Sequence, residues 1–200
     1  MRIATWNVNS VAARLPRLLD WLGTAEPDVL CLQEIKVAAD DFPVDEVGEL
    51  GYEVAAHGTG RWAGVAILSR VGLSGVRRGL LDEPGFQAED AMFEVHEPRA
   101  IGATCGGIRA WSVYVPNGRE VGHPHYDYKL RWLHALRATV DEESVEDQPL
   151  PCWATSTSRR PTPTSGTSPD SPPARTSPSP NARRCAPCAT PAWPTSTLAR

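Results

Sequence analysis

From Pro151 to Arg200 the sequence contains no Ile, Val, Phe, Tyr, Met, Lys or Glu and a single leucine, Leu198; Pro, Ser, Thr, Ala and Arg fill most positions. Ordering a chain costs about 1–2 kcal/mol of backbone entropy per residue, and burial of apolar surface is the main term that offsets it. This stretch has too few large apolar side chains to supply that offset. A core must therefore come from the residues before it. The chain divides accordingly into residues 1–148, which alternate apolar strand-like and helix-like segments, and a Pro/Ser/Thr/Arg-rich tail, 149–200, expected to be unstructured.

Charge divides at the same place. Residues 1–148 carry 14 Lys and Arg against 23 Asp and Glu, a net −9, and residues 149–200 carry 6 against 1, a net +5. An acidic first part lacks the general electrostatic footprint of a polyanion binder, so contact with nucleic acid would need a local arrangement of Arg and Lys. Met1 to Trp6 offers no apolar stretch of signal-peptide length, and no window approaches the ~20 apolar residues that cross a bilayer. A soluble, cytoplasmic, monomeric protein without membrane contact is expected. Of the five cysteines, Cys31 and Cys105 sit in apolar runs and read as reduced core residues. Cys185-Ala-Pro-Cys188 has redox or zinc spacing but no second ligand pair.

Arg2–Trp6 reads as a strand leading into the polar turn Asn7–Ser10. A helix follows toward Leu22 with Leu15, Leu18, Leu19 and Leu22 on its apolar face; Pro16 fits only a first turn, which predicts a regular start near Arg14. Glu26-Pro27-Asp28 breaks it. Val29–Gln33 is a continuous apolar run, the mark of a strand buried on both faces, and ends on Glu34-Ile35-Lys36. Pro43–Leu50 predicts a short helix closed by Gly51. Tyr52–His57, Gly64–Ser69, Ala100–Cys105 and Ile108–Val115 predict strands, the last two joined by the hairpin signal Gly106-Gly107. Tyr126–Val140 predicts a helix with Leu130, Leu133 and Leu136 on one side. The sum is a layered α/β or α+β arrangement.

Polar residues end three of these strands: Asn7, Glu34, and Tyr114 with Asn117. Strand ends converging on one cleft are where layered sheet enzymes place ligands, and a carboxylate beside an amide oxygen suits a hard divalent cation such as Mg²⁺. On this pattern alone, the favoured readings are the plainer ones: Glu34 as a surface charge ending a strand and Asn7 as a turn residue. The histidines, His57, His96, His123, His125 and His134, read as scattered, Trp62 and Trp111 as core, and Gly58-Thr59-Gly60 as too short for a phosphate loop.

Six segments occur in order: Trp6-Asn7-Val8-Asn9-Ser10, Leu32-Gln33-Glu34-Ile35-Lys36, Phe42-Pro43 with Leu50-Gly51-Tyr52, Trp62-Ala63-Gly64-Val65-Ala66-Ile67-Leu68-Ser69, Val113-Tyr114-Val115-Pro116-Asn117-Gly118, and Tyr128-Lys129-Leu130 with Trp132. Together they resemble the exonuclease III family of the endonuclease/exonuclease/phosphatase superfamily, from Met1 to about Val140. The resemblance implies a four-layer DNase-I-like β-sandwich flanked by helices, of which this sequence encodes the N-terminal half. It implies a Mg²⁺-dependent (or Mn²⁺-dependent) DNA-repair nuclease that hydrolyses phosphodiesters at abasic sites and 3′ ends of double-stranded DNA. Glu34 resembles the family's metal-binding glutamate, Asn7 the asparagine beside it, and Tyr114 the active-site tyrosine. Asn117 and Lys129 resemble substrate contacts, and Arg99 a family arginine in the same role, with the acidic Phe86–Glu97 stretch loosening that last match. The alternatives are a non-catalytic DNA-binding fragment and a superfamily phosphatase or phosphodiesterase.

The resemblance also implies a G-D-x-N motif after the helix ending near Val140, and an S-D-H motif further on. Neither is present; Trp153–Ser158 stands where the first belongs. Trp is encoded only by TGG and Ala always begins GC, so reading from the third base of codon 153 gives GGC, glycine. The following residues permit D, F and N. The tail is therefore read as out of frame, with the shift between Asp147 and Pro151, and the chain as inactive.

Overall fold

The computed structural model describes residues 1–88, 92–144 and 152–156. They form two four-stranded sheets packed face to face, with a helix on the outer face of each. The first sheet has the order β1 (Ile3–Asn7), β2 (Val29–Gln33), β4 (Val65–Ser69), β3 (Glu53–His57), and the second β5 (Ser74–Arg78), β6 (Ala100–Cys105), β7 (Ile108–Tyr114), β8 (Cys152–Ser156). β1 runs parallel to β2 and β7 parallel to β8; the other pairs are antiparallel. Helices α1 (Val11–Ala25) and α3 (Pro124–Ser144) make the crossovers within the two parallel pairs, and α2 (Val44–Gly48) precedes β3.

Strand alternation explains the layers. Val29 and Cys31 of β2 and Val65 and Ile67 of β4 face Ile101, Ala103, Cys105 and Ala110 of the second sheet. Leu30, Leu32, Ala66 and Leu68 face outward onto Val11, Leu18 and Leu22 of α1. On the far side, Trp111 and Val113 of β7 meet Tyr128, Trp132 and Ala135 of α3. β2 and β4, apolar on both faces, are buried along their whole length. Cys31 and Cys105 are buried free thiols, as their runs predict. Gly106 and Gly107 take φ of 54° and 81°, the left-handed pair that a tight hairpin requires.

Helix α1 starts earlier than Pro16 allows for in a first-turn position. Ser10 caps it by accepting from the Ala13 amide at 3.3 Å, so Pro16 lies well inside. The carbonyl that the proline leaves without a helical donor belongs to Ala12, an exposed residue. On α3 the buried positions are Tyr128, Trp132, Ala135 and Thr139, and Leu130 is 41 % exposed. The aromatic pair at i, i+4 buries more area than the leucine spacing and sets the rotation of the helix. β5 has no counterpart in the sequence reading. Cys152–Ser156 of the 149–200 stretch forms β8; the rest of that stretch, with Cys185 and Cys188, lies outside the described residues.

No helix among the described residues is long and apolar enough to cross a membrane.

Candidate active site

Asn7 ends β1, Glu34 follows β2 and Tyr114 ends β7, so two sheets bring the three together. Asn7 Nδ2 donates to Glu34 Oε1 at 2.7 Å, Lys36 Nζ lies 3.1 Å from Glu34 Oε2, and the Tyr114 hydroxyl donates to the same carboxylate. Burial pushes the Glu34 carboxyl up, but the hydrogen bonds from Asn7, Lys36 and Tyr114 and the Lys36 charge outweigh it and hold it below its ordinary value. Glu34 is thus ionised near neutrality although only 8 % exposed.

The backbone around it is clamped from both sides. The amides of Val8, Ser10 and Val11 donate to the carbonyls of Gln33, Glu34 and Ile35, at 3.0, 2.7 and 2.9 Å, and those of Ile35 and Lys36 donate to Gly64 and Ala63, each at 3.1 Å. Glu34 and Lys36 both take φ of 54°, a left-handed conformation that costs an ordinary residue about 1–2 kcal/mol and that the clamps hold in place. A Cβ on Gly64 would lie 2.6 Å from Ile35 Cγ1, and one on Gly58 2.2 Å from the Val37 carbonyl oxygen. Only glycines let the β3–β4 loop approach so closely.

Arg99, 9 % exposed, stands on the other side of Tyr114. Its Nε and Nη2 donate to Glu97 Oε2 at 2.8 and 2.6 Å, its Nη1 donates to the Tyr114 carbonyl at 3.1 Å, and its guanidinium carbon lies 4.8 Å from the Tyr114 ring centre. Its polar atoms are committed inside the protein, which is the arrangement of a group that holds Tyr114. Burial pushes the neighbouring Tyr128 phenol up to about 12, so it keeps its proton at neutral pH.

Asn117 and Lys129 lie along the segment after β7. Asn117 is exposed and accepts from the Arg119 amide at 2.9 Å. A Cβ on Gly118 would lie 3.0 Å from Lys129 Cδ, so α3 carries the Lys129 stem over this loop. The structure thus brings Asn7, Glu34, Tyr114 and Arg99 into one cluster, and Asn117 with Lys129 into a second group next to it in the chain.

Four participants receive no role from the sequence: Lys36 and Gln33, which stand inside a quoted motif, and Glu97 and Ser112; Gln33 and Ser112 are buried beneath the site. The signal available for Gln33 was an amide closing an otherwise apolar, two-faced strand. Trp111 is fully buried, as expected, but Trp62 is 71 % exposed and corrects the expectation of a core residue. It sits in the β3–β4 loop, where the carbonyls of Ala63 and Gly64 turn toward Lys36 and Ile35 and the indole is left outside.

One ionised carboxylate beside an amide offers oxygen donors that fit a hard divalent cation, which keeps most of its shell as water. Glu34, with Asn7 beside it, would hold such an ion. No cluster of three or more metal-binding side chains occurs among the described residues.

The sequence model described as the "Endonuclease/Exonuclease/phosphatase family" matches residues 4–150. The chain belongs to that family, a class of enzymes. Relatives it resembles lie in the exonuclease III branch. It is 28 % identical over 152 residues to the exodeoxyribonuclease III of Haemophilus influenzae, covering 75 % of this chain and 55 % of the relative. It is 33 % identical over 141 residues to the DNA repair nuclease APEX1 of Danio rerio, covering 69 % and 43 %. Among solved structures, the 3′ phosphatase NExo from Neisseria, bound to product DNA hairpin, superposes with a TM-score of 0.65 at 36 % identity over 73 % of this chain and 53 % of that one. The fold is DNase-I-like. The chain spans about half the length of the relatives it matches.

Proposed function

We propose that this sequence derives from a Mg²⁺-dependent DNA-repair nuclease that hydrolyses phosphodiesters at abasic sites and 3′ ends of double-stranded DNA, working as a cytoplasmic monomer, and that the polypeptide with this sequence does not turn over. The observation that carries the reading is the convergence of Asn7, Tyr114 and Lys36 on one ionised glutamate, Glu34. A divalent ion at Glu34 would supply Lewis-acid polarisation of a phosphoryl oxygen. Lys36 and Asn7 orient the carboxylate, and the Tyr114 hydroxyl is a hydrogen-bond donor for charge developing on phosphate oxygens.

Individual cations stand on the segments that carry the site. Exposed Arg61 and Trp62 lie on the loop that holds Lys36, and Arg119 and Lys129 on the segment after Tyr114. Such cations beside an exposed aromatic ring suit a phosphate backbone and a base face.

The register of β8 supports the motif loss behind the proposed lack of turnover. Ser156 of β8 pairs in register with Tyr114 and Ala154 with Ser112. The aspartate and asparagine permitted by the shifted frame would fall at these positions, beside the tyrosine. Losing a positioned general base costs about 10²–10⁴-fold by itself, which supports the expectation of inactivity.

The experiment compares the purified chain with a version whose reading frame is restored between codons 147 and 151. Each is incubated with an abasic-site duplex and with a 3′-phosphate duplex, in Mg²⁺ and in EDTA. The restored protein should cleave in Mg²⁺ only and lose turnover on Glu34→Gln, and the present chain should not cleave. Turnover that survives Glu34→Gln overturns the reading. Steeply salt-dependent DNA binding without cleavage by the restored protein would favour a binding module, and cleavage confined to the 3′-phosphate a phosphatase.

A further inference from the structure

Much of the interface between the two sheets is built of apolar side chains, and one end of it is polar. There Gln33 and Ser112, both fully buried, bridge it. Gln33 Nε2 donates to Ser112 Oγ at 3.1 Å, and Ser112 Oγ donates to the Leu32 carbonyl at 2.7 Å. The same amide reaches Thr5 Oγ1 at 3.1 Å and the Cys31 carbonyl at 3.3 Å, and its Oε1 accepts from Thr5 Oγ1 at 3.2 Å. Two N–H groups thus serve three acceptors within reach.

The location of the bridge is what matters. Thr5 is two residues before Asn7, Ser112 two before Tyr114, and Gln33 immediately before Glu34. Since side chains two apart in a strand share a face, the bridge forms the layer directly beneath the site residues of β1 and β7. Apolar contact is non-directional and by itself specifies the offset of two sheets less sharply. Hydrogen bonds are directional and fix that offset.

We propose that Gln33, together with Ser112, is a positioning element that locks the end of β2 to β7 and so holds the Glu34 carboxylate against the Tyr114 hydroxyl. The inference rests on the reading of Glu34 and Tyr114 as site partners, but not on metal binding or turnover. It can stand if no nuclease activity is found, and fall if activity is found.

The test is a double variant, Gln33→Met with Ser112→Ala, which removes both buried partners at once. Replacing a hydrogen-bonded pair by apolar groups of similar shape is close to neutral for stability, so a purely structural role predicts an unperturbed site. The readout is the ¹³Cζ resonance of Tyr114 in tyrosine-labelled protein, assigned among the four tyrosines by Tyr114→Phe. In the parent, Glu34→Gln should displace this resonance. In the double variant, melting cooperatively like the parent, the resonance should already lie at the displaced position, and adding Glu34→Gln should leave it there. If the double variant does not fold, Ser112→Ala alone should move the signal part of the way. A Tyr114 resonance that stays at its parental position in the variants, or that ignores Glu34→Gln in the parent, overturns the proposal.

Discussion

Replacing Arg99 by alanine separates a residue that holds the site together from one that waits for DNA. The guanidinium is nearly buried, donates to the Tyr114 carbonyl at 3.1 Å and covers the Tyr114 ring at 4.8 Å. A hydrogen bond from a charged donor contributes about 1.5–3 kcal/mol, and a partly desolvated cation–π contact about 0.5–2 kcal/mol. The Glu97 side chain is 29 % exposed. Water recovers part of its solvation, so that ion pair adds only ~0–1 kcal/mol. Arg99→Ala should therefore cost about 3 kcal/mol, read as a lower urea midpoint at unchanged slope. Arg99→Lys should lose more than half as much, because a lysine cannot serve Glu97 and the Tyr114 carbonyl together from one planar fork. A solvent-facing arginine would change stability by no more than about 0.5 kcal/mol. An Arg99→Ala variant within that margin of the parent refutes the positioning role, and returns Arg99 to substrate contact.

Three further outcomes follow from the geometry. A Cβ on Gly102 would lie 2.4 Å from the Trp111 ring, whose Nε1 is held by Glu143 at 2.7 Å, so Gly102→Ala should destabilise by about 1–3 kcal/mol in chemical denaturation. Because the Glu34 carboxyl is held below its ordinary value of 4.5, its contribution to stability is complete above that pH and is lost as pH falls through the folded value; the stability difference between the parent and Glu34→Gln, followed by denaturation at successive pH values, should shrink only below about pH 4.5. Trp62→Ala should leave the melting temperature alone, since the indole is exposed, while weakening DNA binding by roughly 1–3 kcal/mol per stacked base, seen in fluorescence anisotropy.

What the sequence disclosed depended on how strongly burial patterns each segment. Val29–Gln33 and Val65–Ser69 are apolar on both faces and central in their sheet, so their strands were plain. Ser74–Arg78 was not. It is an edge strand with little buried side chain and a bulge between Ser74 and Arg77, and it carries no period to detect. Leucine spacing misled on α3 because Tyr128 and Trp132 bury more surface than Leu130. Asn7, Glu34 and Tyr114 were legible as polar residues ending apolar strands and as parts of motifs. The Gln33–Ser112 bridge was not, because its partners are 79 residues apart in the chain and only the packing of two sheets joins them. Arg99 was marked as a site residue by its motif, but its commitments to Glu97 and Tyr114 could be seen only in three dimensions.

The two parallel pairs have an architectural consequence. β1–α1–β2 and β7–α3–β8 are the same device used twice, each a strand, an outer helix and a neighbouring strand, set back to back across the interior. The site therefore has two matching sides, one ending in Asn7 and Glu34, the other in Tyr114. A change confined to one device would leave the strand ends carried by the other where they are.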